Sequence, residues 1–116
     1  MARVFITGSM DGLGRAAARA LIAQRNEVVL HARSAERAAS AGEIASEALA
    51  AVTGDLSSAA QTRDVAEQVN AIGRMDAVIH NAGIYTVPER GSTPEGHATV
   101  LAVNTLAPYV LTALME

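Results

Sequence analysis

Three glycines fall within seven positions of the stretch Thr7-Gly8-Ser9-Met10-Asp11-Gly12-Leu13-Gly14, between an apolar run and an alanine-rich segment. The chemistry this spacing suits is the binding of phosphate. A helix that begins directly after such a turn leaves its first N–H groups free and partially positive, and glycine lets the backbone approach an anion without a Cβ in the way. Gly8 then makes the tight turn, Gly12 admits a pyrophosphate and Gly14 lets the helix pack closely on the strand. The plainer alternative is a generic strand-to-helix turn. A second position of interest comes about twenty residues past the turn, where a carboxylate would bind a ribose 2′-hydroxyl and an arginine would accommodate a 2′-phosphate. The residues there are Ala32-Arg33. The carboxylate is absent and a guanidinium, able to pair with phosphate in bidentate fashion, stands beside its place, which favours NADP over NAD. The alternative for Arg33 is a solvated side chain opening a helix capped by Ser34. A third position is Asn104, a polar amide among Val100, Leu101, Val103, Ala107 and Leu111. Pro108 follows four residues later and has no N–H, so the Asn104 carbonyl is expected to stand free and the helix to bend. A kinked core helix with an incidental asparagine is the alternative there.

Holding these groups in one place takes strands and helices in alternation. The runs Arg3 to Thr7, Glu27 to His31, Leu49 to Thr53 and Asp76 to His80 are short and apolar, with β-branched residues in each, and read as buried strands. Between them the spacing predicts a first helix with Leu13, Ala17, Ala20 and Leu21 on one face. A second, alanine-rich helix is expected from Ala35 to Ala48, weakened by Gly42 in its middle. A third carries Val65, Val69 and Ile72 on one face, a capping-box pattern at Ser58 and Gln61, and a stop at Gly73. A fourth is expected to begin near Thr93-Pro94 and to hold Asn104. This alternation implies an α/β fold in which a parallel sheet carries helices on both faces.

With 116 residues, 50% of them apolar, and a net charge of -3, the chain suits one compact domain. The absence of cysteine excludes disulfides and thiolate metal sites, and His31, His80 and His97 show no metal-ligand spacing. His80, ending an apolar strand, reads as a satisfied core histidine. The acidic balance, with only two tyrosines and one phenylalanine, argues against a nucleic-acid surface. No apolar run approaches the roughly 18 residues that cross a bilayer, and no signal-peptide core develops before Thr7-Gly8, so a soluble, cytoplasmic protein with no membrane partner is expected.

TGSMDGLG, from Thr7 to Gly14, resembles the TGxxxGxG signature of the short-chain dehydrogenases/reductases. Three further stretches match in that family's order: GDLS at Gly54 to Ser57, HNAG at His80 to Gly83 and VNTLAP at Val103 to Pro108. The segment TPEGHATVLAVNTLAPYVLTAL is similar to the retinol-dehydrogenase-like branch. The resemblance implies a Rossmann-type domain over residues 1–116, with strands in the order third, second, first, fourth. It also implies a cofactor site that includes Gly8, Ser9, Asp11, Gly12, Leu13 and Gly14 from the turn. Asp55, followed by Leu56, would accept from the adenine amino group, with an N-terminal helix charge favoured by the dipole as the alternative. Asn81, Ala82 and Gly83 would lie beside the cofactor ribose. Asn104 would act in catalysis, its main-chain carbonyl holding a water in a proton relay. Asp11 departs from the pattern, because many NADP-preferring members carry a basic residue there.

The family's tyrosine donates the reaction's proton and a lysine four residues later lowers its pKa. All nine basic residues of this chain are arginine; Tyr85 is followed at that spacing by Glu89 and Tyr109 by Ala113. The chain is therefore expected to be the cofactor-binding part of a longer, homo-oligomeric oxidoreductase acting on a small carbonyl or alcohol, and inactive alone. A nucleotide-binding or partner-binding module without catalysis is the alternative.

Overall fold

The computed structural model describes residues 1–83 and 102–115. Strands β1 (Arg3–Ile6), β2 (Glu27–Ala32), β3 (Ala50–Thr53) and β4 (Ala77–Ile79) lie within one residue of their expected ends. All pairings are parallel and the order is β3-β2-β1-β4, as expected. The register sets Phe5 between Val29 and Val78, and Ile6 between Leu30 and Ile79. The two central strands, β1 and β2, are the most deeply buried, and their continuous apolar runs follow from having both faces covered.

Helices α1 (Gly12–Ala23), α2 (Ala35–Ala39) and α3 (Glu43–Glu47) belong to one face, where Val4, Ile6, Ala18, Val28, Leu30 and Ile44 form a cluster. On the other face α4 (Ala59–Ile72) and α5 (Ala107–Leu114) close over Phe5, Val29, Val52, Val65, Val69 and Leu111. A π-helical turn, Ala102–Leu106, runs directly into α5, and Pro108 lies in the first turn of that helix.

Three helical expectations need correction. In α1 the inward residues are Gly14 and Ala18, with Ala17, Leu21 and Ile22 packed beside them, while Leu13 is 83% exposed and Ala20 also faces solvent. The helix is turned by about one position because Gly14 presses against the turn that precedes it. The single helix expected from Ala35 to Ala48 is two. Gly42 has φ +68°, a left-handed conformation that no helix continues through, and it becomes the N-cap of α3. In α4 Ser58 accepts from the Gln61 N–H at 3.3 Å and Gly73 ends the helix, as expected. The reciprocal half of the capping box is missing, because Gln61 Oε1 instead accepts from the Asp55 N–H at 2.9 Å.

The expected start of the fourth helix near Thr93-Pro94, with Val100 and Leu101, lies outside the described residues. Where that helix is described, the change of pitch around Asn104 takes the form of a π turn, a rare irregularity that occurs mostly as a single turn within an α-helix. Asn104 is half-buried and engages a partner of its own.

Candidate functional site

The turn after β1 is clamped from two strands, β4 and β2. Thr7 donates its N–H to the Ile79 carbonyl at 3.0 Å, and its Oγ1 accepts from the N–H groups of Asn81 and Ala82 at 3.0 and 3.1 Å. Gly8, at φ +62°, donates its N–H to His31 Nδ1 at 2.9 Å, and its carbonyl accepts from Asn81 Nδ2 at 3.1 Å. A Cβ on Gly8 would lie 3.0 Å from the Ala82 Cα, and one on Gly14 would overlap the Gly8 carbonyl oxygen. These two glycines let the end of β4 and the start of α1 close on the same peptide. Asn81 thereby ties the end of β4 to the turn after β1.

Ser9 is fully buried. Its Oγ donates to the Ile6 carbonyl at 2.9 Å and accepts from the His31 N–H at 2.8 Å, so its hydroxyl secures the turn to β2. Gly12 opens α1 at φ +57° with no neighbour near a would-be Cβ. Neither Ser9 nor Gly12, Leu13 or Gly14 lines the cleft described next.

That cleft, of about 320 Å³, opens along the C-terminal ends of the strands. Its walls are the turn (Gly8, Met10, Asp11), the end of β2 (His31, Ala32, Arg33) with Arg37 of α2, the loop after β3 (Gly54 to Ser57), the loop after β4 (Asn81 to Gly83), and Val103. Ligands of open parallel sheets gather where the strand order reverses, here between β1 and β4. Asn104 neighbours the cleft through Val103 without lining it.

Two arginines stand at the β2 side of the cleft. Arg33, its side chain 70% exposed, lies 3.4 Å from Asp55 Oδ2. Arg37 lies 3.7 Å from Asp11 Oδ2. Asp55 also accepts from the Ser57 N–H at 2.9 Å and from Ser57 Oγ at 2.7 Å. Partial burial disfavours its charge, but the Ser57 bonds and the Arg33 guanidinium outweigh this and hold the Asp55 carboxyl below its ordinary range. Leu56 is buried and packs into the core cluster of α4 while still touching the cleft.

His31 and Arg37 escaped the sequence reading. His31 is 3% exposed, its ring edge-on to Phe5, with Nε2 2.8 Å from the Gly54 carbonyl. Burial lowers its pKa, against the raising effects of the Gly54 bond and the Asp55 charge. The signal available in sequence was strand alternation, which puts His31 on the Val29 face, one residue before the C-terminal end of β2. For Arg37 it was the four-residue spacing from Arg33 across an N-cap serine. His80, by contrast, is exposed and not a core histidine; its Nε2 lies 3.1 Å from Thr112 Oγ1.

A family model described as short chain dehydrogenase matches residues 2–115. The chain belongs to the short-chain dehydrogenase family. Among curated relatives of that family, an uncharacterized oxidoreductase of Emericella nidulans is 53% identical, over 100% of this chain and 46% of its own length. An uncharacterized protein from Mycobacterium Paratuberculosis, of known crystal structure, superposes with a TM-score of 0.86 at 29% identity, over 99% of this chain and 41% of its own. A short-chain dehydrogenase from Sphingobium yanoikuyae, solved in complex with NADPH, superposes with a TM-score of 0.77 at 27% identity, over 98% of this chain and 47% of its own. This chain therefore spans about half the length of the short-chain dehydrogenases it matches.

Proposed function

We propose that this chain supplies the NADP-binding part of an oxidoreductase that moves hydride between a nicotinamide and a small carbonyl or alcohol. The observation that carries the reading is Arg33 at the end of β2, lining the same cleft as the glycine turn, with Arg37 beside it. The fit of such a cofactor is supported by the cleft itself. Gly8 of the turn lines it without a side chain, and its β2 side offers two guanidiniums where a 2′-phosphate would sit. Asp11, a like charge in a phosphate site, is offset by its pairing with Arg37. The dehydrogenase from Sphingobium yanoikuyae that holds NADPH supports the same choice of cofactor.

On this reading Gly8, with Gly12, Leu13 and Gly14, frames the pyrophosphate, and Arg33 and Arg37 hold the 2′-phosphate. Asp55 and Leu56 border the adenine, and Asn81, Ala82 and Gly83 border the ribose. Bound NADP would supply the hydride chemistry. By the family resemblance Asn104 is assigned to the proton relay. The relay's tyrosine–lysine pair has no counterpart in a chain without lysine, so carbonyl reduction by this chain alone is expected to stay at background.

Titration of NADPH and NADH into the chain tests the cofactor choice. Arg33→Ala is expected to weaken NADPH by about tenfold or more, the worth of a charge-assisted hydrogen bond, and to leave NADH nearly unchanged. Equal losses for both would remove Arg33 from a phosphate site. A nucleotide-binding module without catalysis is the competing reading, favoured by the missing lysine. Coding sequence downstream of Glu116 separates the two: an in-frame YxxxK supports the oxidoreductase.

A further inference from the structure

The two ring nitrogens of His31 face partners of opposite kind. The Gly8 N–H can only donate, so Nδ1, 2.9 Å away, must be bare. The Gly54 carbonyl can only accept, so Nε2, 2.8 Å away, must carry the proton. Only the neutral Nε2–H tautomer satisfies both. A second proton would sit on Nδ1, aimed at the Gly8 N–H, and two donors would then oppose each other.

The peptide affected is the one that shapes the phosphate-facing turn. The Gly8 carbonyl stays tied to Asn81, but its N–H end would lose its partner while φ remains in the left-handed region. The sheet need not open with it. A main-chain bond from the Ser9 N–H to the His31 carbonyl at 3.2 Å and a bond from the His31 N–H to the Ser9 hydroxyl oxygen at 2.8 Å hold turn and strand together independently of the ring.

We propose that His31 positions the glycine turn for the cofactor only while its ring is neutral, and that protonation at Nδ1 weakens cofactor binding. The inference rests on the nucleotide reading of the cleft. Among the described residues, the charge acting on the ring is that of Asp55, which is paired with Arg33, and the Arg37–Asp11 pair lines the same cleft. The residues that α4 and α5 bury, Thr62, Val65, Ala66, Val69, Ala107 and Leu111, carry no titratable group. Burial of the ring works against the proton, and Asp55 works for it.

The test is NADPH affinity of the full chain at about pH 8 and about pH 5, with the coenzyme added fresh, for the parent, His31→Gln and His31→Asn, whose amides keep an acceptor and a donor but cannot titrate in this range; the lower pH is needed because burial moves the ring's protonation below its ordinary value. The 2′-phosphate titrates near pH 6, but it does so alike in all three proteins and cancels in the comparison. The parent is expected to lose about threefold to tenfold more affinity on acidification than either variant, the worth of one hydrogen bond. Equal losses overturn the role of His31. Absence of NADPH binding at any pH overturns the nucleotide reading instead, and the two failures look different. A measurement on the parent alone guards against variants that do not fold. In an NMR titration the Gly8 amide resonance is expected to move with the same midpoint as the His31 ring nitrogens, and independent behaviour of the two would also overturn the proposal.

Discussion

A buried neutral histidine makes folding itself depend on pH. In the unfolded chain His31 takes up its proton near the ordinary value of 6.5, and burial delays that event in the folded chain to lower pH. Between those two points the unfolded state binds more protons, so stability is present above about pH 6.5 and is lost as pH falls toward the folded-state pKa. The urea midpoint of the chain is expected to drop between about pH 7.5 and about pH 5.5, and His31→Gln is expected to flatten that drop in part. His80 shifts in the same direction and accounts for a share that the variant leaves. An identical slope in parent and variant would mean that His31 carries no buried-proton penalty. Asp55 acts in a separate window: its lowered pKa adds stability above about 3.8, lost as the carboxyl protonates at lower pH. At this scale the turn glycines and Arg33 could be placed at strand ends from the sequence, because each is a type whose position there has physical meaning, while Asp55 and Asn81 came from the family resemblance; Gly8, Arg33, Asp55 and Asn81 line one cleft. His31 and Arg37 were not legible. A histidine at the end of an apolar run looks the same whether it fills a core or latches a turn, and the Arg37–Asp11 pairing depends on a distance across the cleft that spacing does not encode.

Among the elements, the strands and α4 follow from local pattern and capping, the break between α2 and α3 follows from Gly42 at positive φ, and the inward face of α1 is set by contacts from elsewhere. The inward face of α1 is fixed by Gly14 against the Gly8 carbonyl, a tertiary constraint that moves Leu13 outward despite its hydrophobicity. The same logic ranks the two serine caps. Ser58 is 6% exposed and starts the 14-residue α4, which buries Thr62, Val65, Ala66 and Val69. Ser34 makes the same bond, at 3.3 Å, for a five-residue helix that buries nothing. Ser58→Ala is expected to cost about 1 kcal/mol in urea unfolding, the usual worth of an N-cap. Ser34→Ala is expected to stay within about 0.5 kcal/mol, because a helix without a buried face adds little to the cooperative unit. Comparable losses would show that α2 contributes to the core after all.

Across the whole molecule the sheet is unevenly covered. β1 and β2 are flanked on both sides, but β4 pairs only with β1 among the described residues, and its residues are exposed or half-buried, Ile79 at 38%. A three-residue strand with open N–H and C=O groups and no proline, lysine or bulge along it is a template for another strand. Helix α5 adds to this. Its inner positions, Ala107 and Leu111, are buried, while Tyr109 is 74% and Leu114 45% exposed. His80, just past β4, meets Thr112 of α5, so the open strand edge and the outer side of α5 are neighbouring surfaces. Apolar groups clustered beside an open edge favour association over an isolated monomer. The chain is therefore expected to self-associate, with a sedimentation coefficient that rises with concentration. Replacing Ile79 with lysine should blunt both the edge and its apolar surface, shifting the equilibrium toward monomer without disturbing the cleft, which Ile79 does not line. A sharp monomer at every concentration, with cooperative unfolding, would show that the β4 edge is closed within the chain itself.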